Sequence, residues 1–165
     1  MSKKPIQVTL HMSEITYDIM NSTYLKGVRM DDGSNYEAVY NAQIDDRDEN
    51  KNNMLRSISA AWANLSLSMR RYLNMPSYEA DNILIDDHGE ITVNLMMPSN
   101  YNLSNTTALA AMLHQYIVNY AVGEWYAISN RDEAAGYYTE ASAYMSRIQS
   151  AMNDRVPPMA RVRCE

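Results

Sequence analysis

T-T-A-L-A-A-M-L-H-Q-Y-I-V-N-Y-A-V-G-E-W-Y-A-I, residues 106–128, carries a single formal charge, at Glu124. Leu109, Leu113, Ile117, Ala121, Trp125 and Ile128 recur at spacings of four and three, and Met112, Tyr116 and Asn119 follow on a neighbouring face. Such spacing predicts a helix that is apolar on nearly all sides, which must then be covered on nearly all sides. His114, Gln115, Asn119 and Glu124 interrupt it, so no apolar run reaches the length that spans a bilayer. The stretch reads as the central helix of a bundle, with Ser104 or Asn105 as its cap.

The elements on either side follow from it. Asn130 with Glu133 three residues on is an N-terminal cap. Beyond it Ala134, Tyr138, Ala141, Met145, Ile148 and Met152 alternate by four and three. The connection is so short that this last helix must run antiparallel to the central one. Val156-Pro157-Pro158 cannot continue a helix, which divides the chain into a single helical-bundle domain, residues 1–153, and an extended C-terminal arm, residues 154–165.

Upstream, residues 82–96 read as a β-hairpin. Ile83 and Ile85 would pair with Ile91, Val93 and Leu95 across Asp86-Asp87-His88-Gly89, with Gly89 free to take a positive φ. A lone hairpin is marginal in water, so the alternating Ile6, Val8, Leu10 and Met12 are expected to join it as an N-terminal strand. Leu55, Ile58, Trp62, Leu65, Met69 and Tyr72 mark a long helix ending near Asn74. Asp46 would be its cap if the polar residues 45–53 form its first turns. Ser13 would cap a first helix over residues 14–30, with Ile15 and Ile19 on one apolar line and Tyr17, Met20, Tyr24 and Val28 on another. Ser34 and Glu37 spell a capping box for a short helix through Tyr36, Val39, Tyr40 and Ile44. The fold class is therefore mainly α (α+β), an antiparallel helix bundle with a small β-sheet. Trp62 and Trp125, on the two longest helices, are expected to be largely buried and near each other.

At 165 residues the chain can bury a real core, and 46% apolar with 21% charged is ordinary for a folded domain. The core material is less ordinary: 13 Met, 13 Tyr, 2 Trp and no Phe. Met fills irregular gaps, and Tyr joins aromatic bulk to a hydroxyl that needs a partner. A net charge of −6 argues against free-standing nucleic-acid binding. The one cysteine, Cys164, permits neither an intrachain disulfide nor a cysteine zinc site. With no secretory leader and no spanning helix, an aqueous, reducing compartment is expected.

Motifs for chemistry fail when tested. Asp46, Asp48 and Asn50 imitate the front of a calcium loop, but Lys51 stands where the turn needs glycine and Ser57 where a bidentate carboxylate belongs. His11, His88 and His114 lack ligand spacing. Asp86-Asp87-His88 reads as a polar turn, Glu124 as a charge at the bundle edge or paired with an arginine, and no glycine-rich phosphate loop exists. No enzyme, cofactor, metal or catalytic residue is expected. The charge layout is more telling: residues 13–50 hold nine acids against three bases, whereas residues 155–163 hold three arginines and no acid. These are either two independent solvated surfaces or a basic arm and the acidic surface of a neighbour. In the second reading Val156, Met159 and Val162 pack on the neighbour while Arg155, Arg161 and Arg163 pair with its carboxylates.

The stretch Y-I-V-N-Y-A-V-G-E-W-Y-A-I-S-N-R-D-E-A-A-G-Y-Y (residues 116–138), the amphipathic helix after it and R-V-P-P-M-A-R-V-R (residues 155–163) resemble small structural proteins of tailed bacteriophages. Among these the pattern is most similar to head-to-tail connector (adaptor or neck) proteins, and it covers residues 101–163. The resemblance implies a non-enzymatic virion protein, assembled in the bacterial cytoplasm. It also implies a homo-oligomeric ring between the portal protein and a tail or neck protein, with DNA passing through the channel without specific binding. A tail-completion or tail-ring protein is the alternative within that class. A small DNA-binding regulator is the alternative outside it, since helices joined by short turns can imitate a helix-turn-helix; the acidic first half counts against it.

Overall fold

The computed structural model of the chain describes residues 3–45, 47–74 and 81–157. In order these form β1 (Lys4–His11), α1 (Met12–Met30), α2 (Tyr36–Ala42), α3 (Asp48–Met69), β2 (Glu90–Met97), α4 (Thr106–Ser129) and α5 (Arg131–Asn153), with a 3-10 turn at Leu103–Asn105. Of the described residues 66% are helical, and two strands form an antiparallel sheet. The mainly α architecture with a small sheet is therefore as the sequence pattern predicts. No helix of the described residues is long and apolar enough to cross a membrane.

α4 lies at the centre and packs against α5, α3, α1 and β1. Leu109, Leu113, Ile117, Ala121 and Val122 are buried along it, as its near-uniform apolarity requires. Ile128 departs from the expected stripe, since it lies in the last turn, beyond the cover of neighbours, and is 81% exposed. α5 folds back on α4 from the expected cap, the Asn130 side chain accepting from the Glu133 N–H at 3.3 Å. The two helices approach closely at Gly123, where a Cβ would stand 3.0 Å from the Tyr138 ring. Tyrosines fill the places that phenylalanine would take: Tyr126 stacks on Tyr137 at 5.7 Å between centroids, and Tyr120 meets Tyr138 edge-on at 5.9 Å.

The sheet departs from the expected hairpin. β2 pairs directly with β1 in the register Ile6↔Leu95, Val8↔Val93, Leu10↔Ile91, and residues 81–85 form no strand. Both edges of β2 are already taken. β1 holds one along eight residues. On the other edge Met96 N–H donates to Tyr72 C=O at 2.7 Å and Asn74 N–H to Asn94 C=O at 2.9 Å. Ile83, expected in the hairpin, is 78% exposed. The Asp86-Asp87-His88-Gly89 turn does form, closed by Gly89 N–H to Asp86 C=O at 2.8 Å. Its glycine keeps a negative φ, and the positive φ belongs to Gly33, at 81°.

Three caps also differ. Met12 N–H donates to Gly89 C=O, so the β-ladder runs straight into α1 and Ser13 makes no cap. Ser34 donates its hydroxyl to Asp32 rather than serving a capping box, and Asn35 stands at the N-terminus of α2. The N-cap position of α3 is held by Arg47; Asp46 lies outside the described residues. Trp62 and Trp125 are both half-buried and engage different segments. Trp62 lines a groove with residues 81–85, whereas Trp125 turns its indole N–H to the Ala42 carbonyl at 3.3 Å. An indole N–H turned away from water needs such an acceptor, and Tyr126 Oη donates to the same carbonyl at 3.1 Å. The end of α2 is thus fixed to α4.

Candidate functional site

The residues with the best claim to function gather where α5 gives way to the arm. Asp154 ends the helix in an extended conformation (φ −69°, ψ 134°). Its carboxylate accepts from Asn105 Nδ2 at 2.8 Å and Asn102 Nδ2 at 3.0 Å. These amide bonds, Asn105 foremost, hold its pKa below the usual aspartate value. Arg155 Nη1 donates to Met152 C=O at 2.7 Å and Asp154 C=O at 2.9 Å. Its Nη2 donates to Tyr72 Oη at 3.2 Å, and Tyr72 in turn donates to Asn153 Oδ1 at 2.8 Å. The backbone of Arg155 bridges that of Tyr101, and Val156 N–H donates to Asn100 C=O at 2.9 Å. The root of the arm is therefore bound at once to the end of α3, to the turn before α4 and to α5.

Tyr101 lies fully buried beneath this clamp, and its hydroxyl is without a hydrogen-bond partner. Burial pushes its pKa up. The carbonyl of Tyr101 accepts from Lys4 Nζ at 3.2 Å, which adds β1 to the same junction.

Of the arm residues expected to meet a neighbour, Val156 is half-exposed and uncommitted on its side chain. Arg155 uses its guanidinium inside the chain, so it anchors the arm and does not reach outward. Met159, Arg161, Val162 and Arg163 lie outside the described residues, as does Cys164. The clamp itself was missed in the sequence. Its signal is the run of Asn100, Asn102 and Asn105, which hold Asp154 and Val156.

A second surface departs from its sequence reading. Tyr17, Tyr24 and Val28, expected on a packed apolar line, stand on the outer face of α1 with 64%, 55% and 49% exposure. The buried face is Met12, Ile15, Ile19, Thr23 and Gly27 instead. On α2, which packs against α1, Tyr36 and Tyr40 are also exposed.

The side chains tested for chemistry are engaged in structural pairs. Glu124 accepts from Tyr138 Oη at 2.7 Å, and burial, then this bond, raises the tyrosine pKa. His114 Nε2 meets Asp18 Oδ2 at 2.8 Å. Asp87 pairs with Lys51, which holds its carboxyl at a pKa of about 2 and ties the turn to α3. No group of three His, Cys, Asp or Glu gathers in metal-binding geometry among the described residues. No family model matches this chain, nor does any curated protein or solved structure.

Proposed function

We propose that the protein is a non-enzymatic structural subunit of a tailed-bacteriophage virion: a head-to-tail connector that assembles as a ring between portal and tail. The observation that carries this reading is the clamp at residues 153–156. An arm that served no partner would gain nothing from a rigid exit, because ordering backbone costs about 1–2 kcal/mol per residue. Here bonds from three elements fix where the chain leaves the bundle, and Val156 is presented outward. That is what an arm meant to meet a neighbour at a set position needs. The acid excess suits a channel through which DNA slides without sticking. Native mass spectrometry and negative-stain images of the purified full chain test the reading. The expected result is a discrete ring with a central opening, and a protein that remains a monomer or dimer overturns it.

A further inference from the structure

We propose that the outer face of α1 and α2, centred on Tyr24, Val28, Tyr36 and Tyr40, is the seat for the arm of a second copy of this chain, residues 156–163. The inference rests on the ring reading and adds the receiving surface. Four large side chains standing at least 49% exposed on two adjoining helices are more than scattered surface apolars. Tyrosine is the residue type most at home on such a surface, with an apolar ring to bury and a hydroxyl to satisfy. Around them Asp31, Asp32 and Glu37 are exposed, against the exposed base Arg29. The arm brings Val156, Met159 and Val162 for the rings and Arg161 and Arg163 for the carboxylates, with no acid among residues 155–163. Charge and apolarity are thus both complementary.

The chain already shows how such a face holds arginine. The Arg47 guanidinium lies 4.8 Å from the Tyr40 ring centroid while its Nε contacts Asp45 Oδ2 at 2.7 Å. A ring and a neighbouring carboxylate grip one planar cation together.

Geometry says whose arm it is. The arm leaves beside Asn100 and Tyr101, just before α4 begins. The end of α1 and α2 meet the opposite end of α4, where Tyr126 and Trp125 bind Ala42 and Lys26 pairs with Glu133 at 2.7 Å. Ala42, bound at Tyr126, lies twenty residue steps along α4 from Thr106, roughly 30 Å from where the arm leaves. Residues 156–161, fully extended, span at most about 22 Å. Arg161 therefore cannot reach the Tyr36 and Tyr40 end of the face in its own subunit, although Tyr24, six residues beyond the Asp18 that meets His114, lies nearer. Contact between unlike surfaces of two copies is heterologous, the kind whose repetition closes a ring.

The test uses the full chain with a photoreactive benzoylphenylalanine at position 24 or 40, prepared as a mixture of 15N and unlabelled copies. Crosslinks from either position to peptides containing residues 159–163, in mixed-isotope pairs, are expected. In parallel, Glu37→Arg and Arg161→Glu should each weaken association roughly tenfold in ultracentrifugation, and the double variant should recover it. Glu37 is exposed, so circular dichroism should show an unchanged fold. A ring whose crosslinks lead elsewhere, or a double variant without recovery, overturns the seat and leaves the ring reading standing. A chain that never associates overturns both.

Discussion

Thr23 is a polar side chain with no exposure at all, and its hydroxyl works in both directions. It donates to Met20 C=O at 3.0 Å and accepts from Ile44 N–H at 3.3 Å, joining α1 to the chain leaving α2. Valine has the same shape without the acceptor, so Thr23→Val leaves a buried N–H unpaired. The expected loss is about 1–3 kcal/mol, read from the urea midpoint, with Thr23→Ser retaining most of the stability. Gly123 makes a second point about single atoms. Alanine would be worth about 1 kcal/mol to the helix by propensity, but its Cβ would press on the Tyr138 ring at 3.0–3.1 Å. That ring cannot swing aside easily, since its hydroxyl is held by Glu124 at 2.7 Å. Overpacking of this kind costs about 1–3 kcal/mol, so Gly123→Ala should lower stability on balance. Adding Tyr138→Phe, which releases the ring, should make the alanine better tolerated; thermal melts of the four variants in a double-mutant cycle check this.

At the scale of elements, α4 and α5 were legible because their patterns are long and their tertiary neighbours agree with them. The cap at Asn130 formed because nothing competes for the Glu133 N–H, whereas Ser13 and Ser34 carry equally good cap chemistry and were outbid. In one case the β-ladder had already claimed Met12 N–H, and in the other Asp32 claimed the serine hydroxyl. The hairpin failed for a related reason. Residues 81–85 and β1 both offer alternating apolar side chains; the expected pairing with β1 forms, but sequence proximity also drew in residues 81–85, for which β2 has no free edge. The site was half legible. Two prolines forbid a helix beyond Val156, but spacings of seven and four at Tyr17, Tyr24 and Val28 reveal a helix face without saying what covers it. The observed pairing has a consequence for exchange. Met96 N–H and Asn94 C=O point away from β1, toward residues 72–74, so by alternation the N–H groups of Ile91, Val93 and Leu95 point toward β1. Removing residues 1–11 should therefore speed amide exchange at Ile91, Val93 and Leu95 far more than at Met96. Equal acceleration at all four would show that the strand acts only through global stability.

For the molecule as a whole, the reliance on tyrosine sets an alkaline limit. Burial raises the pKa of Tyr101, Tyr116, Tyr126, Tyr137 and Tyr138 above the ordinary 10.0, with neighbouring groups such as Tyr137 beside Tyr126 adding to it. Above pH 10 the unfolded chain releases protons that the folded chain keeps, so it binds fewer, and stability must fall as pH rises. The contribution is complete below pH 10 and is lost progressively above it. Absorbance at 295 nm should show the buried set ionising only together with loss of the helical signal. The arm raises a different whole-molecule question, because the clamp and the reach beyond it belong to separate functions. Truncation after Asn153 removes Asp154, Arg155 and Val156, uncovers the buried Tyr101 and cuts the bonds to Tyr72 and Asn100. Loss of the Arg155 bonds and the backbone bridge should lower stability by about 1–3 kcal/mol, so any failure to assemble could be blamed on the fold. Truncation after Pro157 keeps every one of those bonds and removes only the residues proposed to reach a neighbour. The shorter cut should give a subunit with the melting temperature of the full chain that sediments as a monomer, while the longer cut should lose both stability and assembly. Should the protein ending at Pro157 still form rings, residues 158–163 are not the joint, and the connector reading would have to rest on another surface.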